Sequence, residues 1–188
     1  MPNYPIHLVV DHAGMGIPYY RSEDETESHS YINLKTNPEQ INLIPEIQGW
    51  PKLEEAIRTL NAPDSIFETT GCAKWFFPDP NSPDIKRLVT YLGFCLSDTK
   101  ARRNVYNLYG FFHTFSEFLY SKTLPENLTM QYVIKDTGFN GDTVKGWSVD
   151  LEMIGSGSSE AEAIELPSLA VSLLLECIRT DTVRNWLP

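Results

Sequence analysis

Apolar residues recur at intervals of three and four in three segments of the chain, which predicts three helices that each bury one face. The first segment begins near Pro51, and the second begins with Asp98 or Thr99 as its cap. The third begins at Pro167, because a proline is expected to end any helix that precedes it. The predicted buried positions are Leu53, Ala56, Ile57 and Leu60; Ala101, Val105, Leu108, Phe112, Phe115 and Leu119; and Leu169, Leu173, Leu174, Cys177 and Ile178.

Two β-rich runs in the middle of the chain predict a first antiparallel hairpin. Residues 65–77 and 85–97 are rich in β-branched and aromatic side chains, and the turn residues at 78–84 predict a long loop between them. The run 85–97 is apolar on both faces over part of its length. That pattern is typical of a central strand that is covered on both sides.

A second hairpin surrounds Asn140-Gly141, the strongest short signal for a two-residue turn. With those two residues as the loop, Phe139 pairs with Asp142. The predicted pairs further along the strands are Ile134 with Trp147, Tyr132 with Val149, and Met130 with Leu151. These six side chains share one face, so the turn and the apolar pattern agree on the register.

These elements, with a strand at residues 5–10 and a helical start at Asn37-Pro38, predict an α+β fold. We expect one antiparallel sheet of four to five strands, made of two β-hairpins plus an N-terminal strand, packed by about three to four helices. The 188 residues suit a single domain. Within it, residues 1–63 form an N-terminal arm and helices with an acidic mobile loop at about 19–31, and residues 64–188 form a hairpin-helix-hairpin-helix body.

The charge of the chain narrows the classes of partner. Its formal net charge is −10, which repels a phosphate backbone, so we expect no nucleic-acid partner. The same field attracts a basic protein surface. No apolar run approaches the roughly 20 residues that span a bilayer, so we expect no membrane partner.

The cysteines indicate a reducing compartment. Cys72, Cys95 and Cys177 are an odd and widely spaced set with no C-x-x-C pair, so we expect no metal site and no cofactor. Such a set is typical of cytoplasmic proteins, and the N-terminus shows no signal-peptide pattern. A cytoplasmic location is therefore expected.

The segment HLVVDHAGMG, residues 7–16, contains the candidates for catalysis, Asp11 and His12. In an extended strand these two side chains point to opposite faces, so they meet only if the chain bends after Val10. His29 or His113 would then have to complete an acid–base site. The segment contains two glycines, Gly14 and Gly16, but a phosphate-binding loop requires a third glycine and a helix that follows it.

A tyrosine-rich helix flank provides the candidates for partner binding. Tyr106, Tyr109 and Tyr120 follow helical spacing beside the apolar stripe, together with His113. Tyrosines combine a large contact area with a polar tip, which favours an interface, although packing on the sheet explains them equally well.

Lys100, Arg102 and Arg103 form the only tight basic cluster, in the predicted first turn of the same helix. Positive charge there opposes the helix macrodipole, which can mark a place where an acidic group binds. A solvated turn beside Asp98 is the simpler explanation.

No complete catalytic constellation is visible, which favours a non-catalytic protein-binding, adaptor or regulatory protein that self-associates. We expect a homodimer whose other partner is a protein with a basic surface. The alternative is a small hydrolase or ligand-binding enzyme that uses the Asp11/His12 loop. Whether the protein is an enzyme stays open at this level.

Overall fold

The computed structural model describes residues 5–18, 31–140 and 143–184, apart from the side chains at 13–15 and 184. The strands are β1 (Ile6–Ile17), β2 (Phe67–Asp79), β3 (Ser82–Leu96), β4 (Met130–Phe139) and β5 (Val144–Gly157). The helices are α1 (Pro51–Leu60), α2 (Val105–Tyr120), α3 (Glu160–Ile178) and α4 (Asp181–Arg184), with 3₁₀ turns at Pro38–Leu43, Pro45–Ile47 and Ala101–Arg103. None of the described helices is long and apolar enough to cross a membrane. The loop predicted at about 19–31 lies outside the described residues, except for Tyr31.

The five described strands form one sheet in the order β1-β4-β5-β3-β2. The pairs β4–β5, β3–β5 and β2–β3 are antiparallel, whereas β1 runs parallel to β4, with Ile6 opposite Met130. The mixed α+β class is therefore confirmed, but the prediction of a wholly antiparallel sheet is wrong at the β1 edge. Among the described strands β1 is not joined to its neighbour β4 by a hairpin turn, since α1, the first hairpin and α2 all lie between them in the sequence. Turn chemistry therefore could not decide its direction.

Helices α1, α2 and α3 cover one face of the sheet. The predicted buried face of α1 is confirmed, because its four apolar side chains are almost completely inaccessible to solvent. The indole Nε1 of Trp50 donates a hydrogen bond to Ser168 Oγ in α3 at 2.9 Å. The helical part of the first 63 residues thus shares one core with the rest of the chain.

The start of α2 differs from the prediction. Asp98 caps only the 3₁₀ turn, where its carboxylate accepts from the Ala101 N–H, and Asn104 caps α2 itself by accepting from the Tyr106 N–H. This later start places Phe111 in the fully buried position, while Phe112 is only partly buried.

The first hairpin is tighter than predicted. Asp79 pairs with Ser82, so only two residues separate β2 from β3, and the predicted long loop at 78–84 is wrong. The ladder continues through Pro78, which pairs with Lys86, and a register shift between Pro78 and Asp79 accommodates the proline. Proline is tolerated there because β2 is an edge strand of the described sheet.

The second hairpin has a longer loop than its sequence signal suggested. Phe139 pairs with Val144 rather than with Asp142, so residues 140–143 form the loop and the predicted register is wrong by two residues. Asn140 does adopt the left-handed conformation, with φ of 53°, and the Thr143 hydroxyl donates to its carbonyl at 2.8 Å. An error of two leaves every side chain on its predicted face. The observed pairs are Ile134 with Val149, Tyr132 with Leu151, and Met130 with Met153.

Helix α3 is continuous through Pro167, so the prediction that a helix starts at this proline is wrong. Proline lacks the N–H that would bond to the carbonyl four residues earlier, which belongs to Ala163. That carbonyl faces Gly155 of β5 so closely that a Cβ on Gly155 would lie 1.8 Å from its oxygen. The absence of a side chain at Gly155 lets α3 lie directly against the sheet.

We predict that Gly155→Ala lowers the free energy of unfolding by about 3 kcal/mol or more, because a backbone carbonyl must move to admit the methyl group. Urea unfolding followed by circular dichroism measures the loss. Gly49→Ala is the matched control: Gly49 has φ of 71° but nothing lies within 4 Å of the added methyl. That variant should lose only about 1 kcal/mol from backbone strain. Equal losses in the two variants would contradict the close contact.

Candidate functional site

The face of the sheet opposite α1, α2 and α3 is called here the open sheet face. It carries alternate side chains of each strand, and these fall into three zones along the strand direction. One end is covered by the 3₁₀ turn Ala101–Arg103, the centre is polar, and the other end is apolar and exposed. No described helix or turn covers the polar and apolar zones, and these two zones are the candidate site.

At the covered end of the open sheet face, Arg102 makes the contacts that attach the 3₁₀ turn to the sheet. Its Nη2 lies 2.9 Å from Glu68 Oε1 and donates to the Ser97 carbonyl at 2.6 Å, while the guanidinium stands 4.5 Å from the centre of the Phe139 ring. The Arg102 side chain is buried, so the three residues of the predicted basic cluster do not share one surface. Arg102 holds the turn on the sheet, and Lys100 and Arg103 are exposed.

The polar centre consists of Asp11, Lys135, Asp150 and Glu152, on the three neighbouring strands β1, β4 and β5. Lys135 Nζ donates to Asp150 Oδ2 at 2.5 Å and lies 5.9 Å from the centre of the Tyr91 ring. Asp11 is the register partner of Lys135 on β1. Three carboxylates therefore surround one ammonium group.

Burial sets the protonation behaviour of this centre. Desolvation raises the pKa of Asp150 despite the hydrogen bond from Lys135, and desolvation likewise raises the pKa of Glu152. Burial lowers the pKa of Lys135, but the hydrogen bond and charge of Asp150 outweigh it, so the net shift is upward. Both partners shift upward because Asp150 is almost fully buried while Lys135 keeps some contact with solvent.

Two buried oxygens beside this ion pair have no hydrogen-bond partner within the described parts of the chain: Thr70 Oγ1 and Asp150 Oδ1. Both approach Gly93 of β3. A Cβ on Gly93 would lie 2.6 Å from Thr70 Oγ1 and 2.8 Å from Asp150 Oδ1. Glycine is therefore required at this position by the close approach of two side chains.

The exposed zone is called here the apolar row: Trp75 on β2, Val89 on β3 and Ile154 on β5, which lie opposite one another in the ladder. Phe77 adjoins Trp75 on the same face, and the Trp75 and Tyr91 rings lie 6.2 Å apart. Trp75, Phe77 and Ile154 are 48%, 50% and 45% exposed. An exposed apolar patch beside charged groups is typical of a protein-interaction surface.

The histidine candidates do not meet Asp11. Asp11 faces the polar centre, whereas His12 lies on the other face of β1, with its ring centre 6.3 Å from that of Trp147. His113 is exposed on α2, where its Nε2 lies 3.4 Å from Glu117 Oε1. His29 lies outside the described residues. β1 continues beyond Val10, with an irregularity in its ladder between Asp11 and Met15, and the Asp11 and His12 side chains remain on opposite faces.

The tyrosines of α2 divide between surface and core. Tyr106 and Tyr120 are 76% and 55% exposed, whereas Tyr109 packs against the core with its ring 6.3 Å from that of Tyr106. The outer face of α2 is thus a second exposed aromatic surface, on the opposite side of the molecule from the open sheet face.

The thiols are in the protonated form. Burial raises the pKa of Cys72 and of Cys177 to about 12 and that of Cys95 further. A thiol in that state is a poor nucleophile and a poor metal ligand. Within the described ranges, no group of three or more His, Cys, Asp or Glu side chains could hold a metal ion.

A groove of about 690 Å³ lies away from the open sheet face, near the C-terminal ends of α1 and α3. Its two guanidinium groups are held by acids on α1: Arg58 by Glu54 at 2.7 Å and Arg179 by Glu55 at 2.9 Å. Arg179 therefore connects the C-terminal end of α3 to α1, whereas Arg58 is paired within α1.

A scan of protein-family models, a search of curated protein sequences and a search of solved structures each found no match to this chain.

Of the residues in the polar and apolar zones of the open sheet face, only Asp11 was a candidate from the sequence. Ser148, Asp150 and Glu152 lie at alternate positions of β5, so their side chains share one face of the strand. Polar and acidic residues at alternate positions of a strand could have predicted the polar centre from the sequence. The apolar row could not be found in this way, since its residues come from three strands and meet only in the final register.

We predict that Thr70→Val leaves the free energy of unfolding within about 0.5 kcal/mol of wild type or raises it, because it removes a buried hydroxyl that has no partner. Thr137→Val is the matched control. The Thr137 hydroxyl lies 2.7 Å from Ser148 Oγ and donates to the Lys135 carbonyl, so its loss should cost about 1–2 kcal/mol. Urea unfolding distinguishes them, and a loss of more than 1 kcal/mol for Thr70→Val would show that its hydroxyl has a partner.

We predict that Lys135→Met lowers the free energy of unfolding by about 3 kcal/mol at pH 7, because it leaves the Asp150 carboxylate buried without its cation. The deficit should shrink as the pH falls. Burial raises the pKa of Asp150 in the folded state, so the folded variant binds a proton that the unfolded chain does not, and acid favours folding. Unfolding curves at several pH values between 7 and 4 test this. A deficit that is constant across that range would contradict it.

Proposed function

We propose that this protein is a non-catalytic binding protein and that the open sheet face recognises another protein. The observation that carries the proposal is the apolar row, in which Trp75 and Ile154 stand half exposed on either side of Val89, with Phe77 alongside. Large apolar side chains arranged in this way form a contiguous apolar surface exposed to water. Such a surface is unfavourable unless a partner covers it.

The polar centre indicates the chemistry of the partner. Glu152 lies two residues from Ile154 on the same face of β5, so the acidic polar centre directly adjoins the apolar row. Asp11, Asp150 and Glu152 outnumber Lys135, and the chain as a whole has a net charge of −10. A partner surface with apolar side chains next to a lysine or arginine would match this order.

Two further observations support a binding role over the catalytic alternative. Asp11 and His12 project from opposite faces of β1, and the cysteine thiols are held in their protonated form by burial. We propose the cytoplasm as the compartment, on the strength of three cysteines that form no disulfide.

Parallel affinity capture from the source cells tests the proposal, with three versions of the full chain compared by quantitative mass spectrometry. The open-face variant carries Trp75→Ser and Ile154→Ser, and the matched helix variant carries Tyr106→Ser and Tyr120→Ser. All four side chains are exposed, so both variants should unfold at the wild-type temperature within a few degrees. We expect a protein that wild type and the helix variant retain and that the open-face variant loses at least about tenfold.

A partner retained by the open-face variant but lost by the helix variant would transfer the binding role to α2. If no captured protein responded to either pair of substitutions, the proposal of a protein partner on the open sheet face would be wrong. The captured protein should also bind more weakly as salt increases, because the polar centre is acidic.

A further inference from the structure

Two buried oxygens above Gly93 are the feature that neither the fold nor the proposed function uses. Thr70 and Asp150 are each only 2% exposed. Thr70 Oγ1 and Asp150 Oδ1 have no hydrogen-bond partner among the described residues, whereas Asp150 Oδ2 accepts from Lys135. Buried polar atoms in folded proteins are almost always satisfied by the protein, by water or by an ion. These two oxygens therefore indicate a bound group.

The order of the strands brings the two oxygens together. Gly93 of β3 lies opposite Asp150 of β5 on one side and opposite Gly71 of β2 on the other. The β2–β3 ladder is irregular between Thr69 and Gly71, so Thr70 is an extra residue at this point of β2. A bulge of this kind can redirect a side chain. Thr70 thus reaches Gly93 from β2, and Asp150 reaches it from β5.

The missing side chain of Gly93 leaves a space that three oxygens share. A Cβ at position 93 would lie 2.6 Å from Thr70 Oγ1, 2.8 Å from Asp150 Oδ1 and 3.2 Å from the Gly71 carbonyl oxygen. One hydroxyl, one carboxylate and one carbonyl oxygen therefore surround the same space. Oxygens of these kinds are the ligands that hard cations prefer in proteins.

The charge around this space favours a cation with a single positive charge. Asp11, Asp150 and Glu152 all act on the charge of Lys135, so the polar centre has more carboxylates than cations. One added positive charge reduces the repulsion between these carboxylates. Only one of the three oxygens above Gly93 belongs to a carboxylate, and no described group of three His, Cys, Asp or Glu side chains could hold a metal ion. A divalent ion is therefore not favoured.

The size of the space favours sodium over water and potassium. Thr70 Oγ1 and Asp150 Oδ1 are both inaccessible to water. A buried water needs room for a sphere of its own size and two to four polar partners. A sodium ion without its hydration shell is smaller than a water molecule, whereas a potassium ion is about as large as one.

We propose that a sodium ion binds above Gly93, with Thr70 Oγ1, Asp150 Oδ1 and the Gly71 carbonyl oxygen as its protein ligands. Lys135 remains on the other oxygen of the Asp150 carboxylate. The ion connects β2 to β5 across β3, so its binding stabilises the folded sheet. This site does not depend on the proposed function, because the apolar row contributes no ligand to it.

Thermal unfolding of the purified full chain tests the proposal. Sodium chloride replaces choline chloride stepwise in Tris buffer, so that the ionic strength and the chloride concentration stay constant. The unfolding midpoint of wild type should rise by about 3–6 °C when sodium reaches about ten times its dissociation constant, because the ion binds the folded state alone. Potassium chloride should cause a smaller rise, since its ion is larger.

Three variants assign the sodium effect to this site. Thr70→Val should unfold within about 2 °C of wild type in choline chloride, where its hydroxyl has no partner, and should lose the rise with sodium. Thr70→Ser keeps a hydroxyl and should keep the rise. Thr137→Val is the matched control, because it removes a buried hydroxyl that already has a partner in Ser148. It should lower the midpoint in every buffer and still show the full rise with sodium.

Binding is measured directly by ²³Na nuclear magnetic resonance. Wild type and Thr137→Val should broaden the sodium line, and Thr70→Val should broaden it much less. Equal midpoints of wild type in the three chlorides would overturn the proposal. A rise with sodium that Thr70→Val retains would also overturn it, since the ion would then bind elsewhere on this acidic chain. Neither result bears on capture of a partner by the apolar row, so the two proposals fail separately.

Discussion

The structure depends on the burial of β5 on both of its faces. The strand has a neighbour on each side, Val149 and Leu151 face the helices, and Ser148 and Asp150 are almost inaccessible on the open sheet face. A strand in that position must satisfy its polar side chains from its neighbours. At its far end Gly155 presents a bare backbone to α3, so the same strand also fixes how closely the helical layer approaches.

The polar centre follows from this constraint. A buried carboxylate requires a cation, and Lys135 on β4 reaches Asp150 while the rest of its side chain remains near solvent. Buried ion pairs contribute little to stability but restrict which arrangement the chain can adopt. We expect the pair to favour the observed β4–β5 register, since Lys135 reaches the Asp150 carboxylate in that register.

The fold could be predicted wherever a pattern repeats within one element. The α1 face and the side assignment of the second hairpin follow from periodicities of 3.6 and 2 that need no knowledge of the partner element. The errors arose where tertiary contacts outweigh local rules: Pro167 stays inside α3, and β1 pairs parallel with a distant strand. The apolar row had no local signal at all, because its residues are brought together only by the order of the strands.

Site-specific photo-cross-linking in living cells can show whether the open sheet face is the binding surface. A benzophenone amino acid at position 77, beside Trp75, would be compared with the same group at position 120 on α2. We expect a discrete cross-linked product from position 77 that is absent when Ile154 is replaced by serine, and none of that product from position 120. Cross-linking from position 120 alone would contradict this expectation and assign the binding surface to the helix.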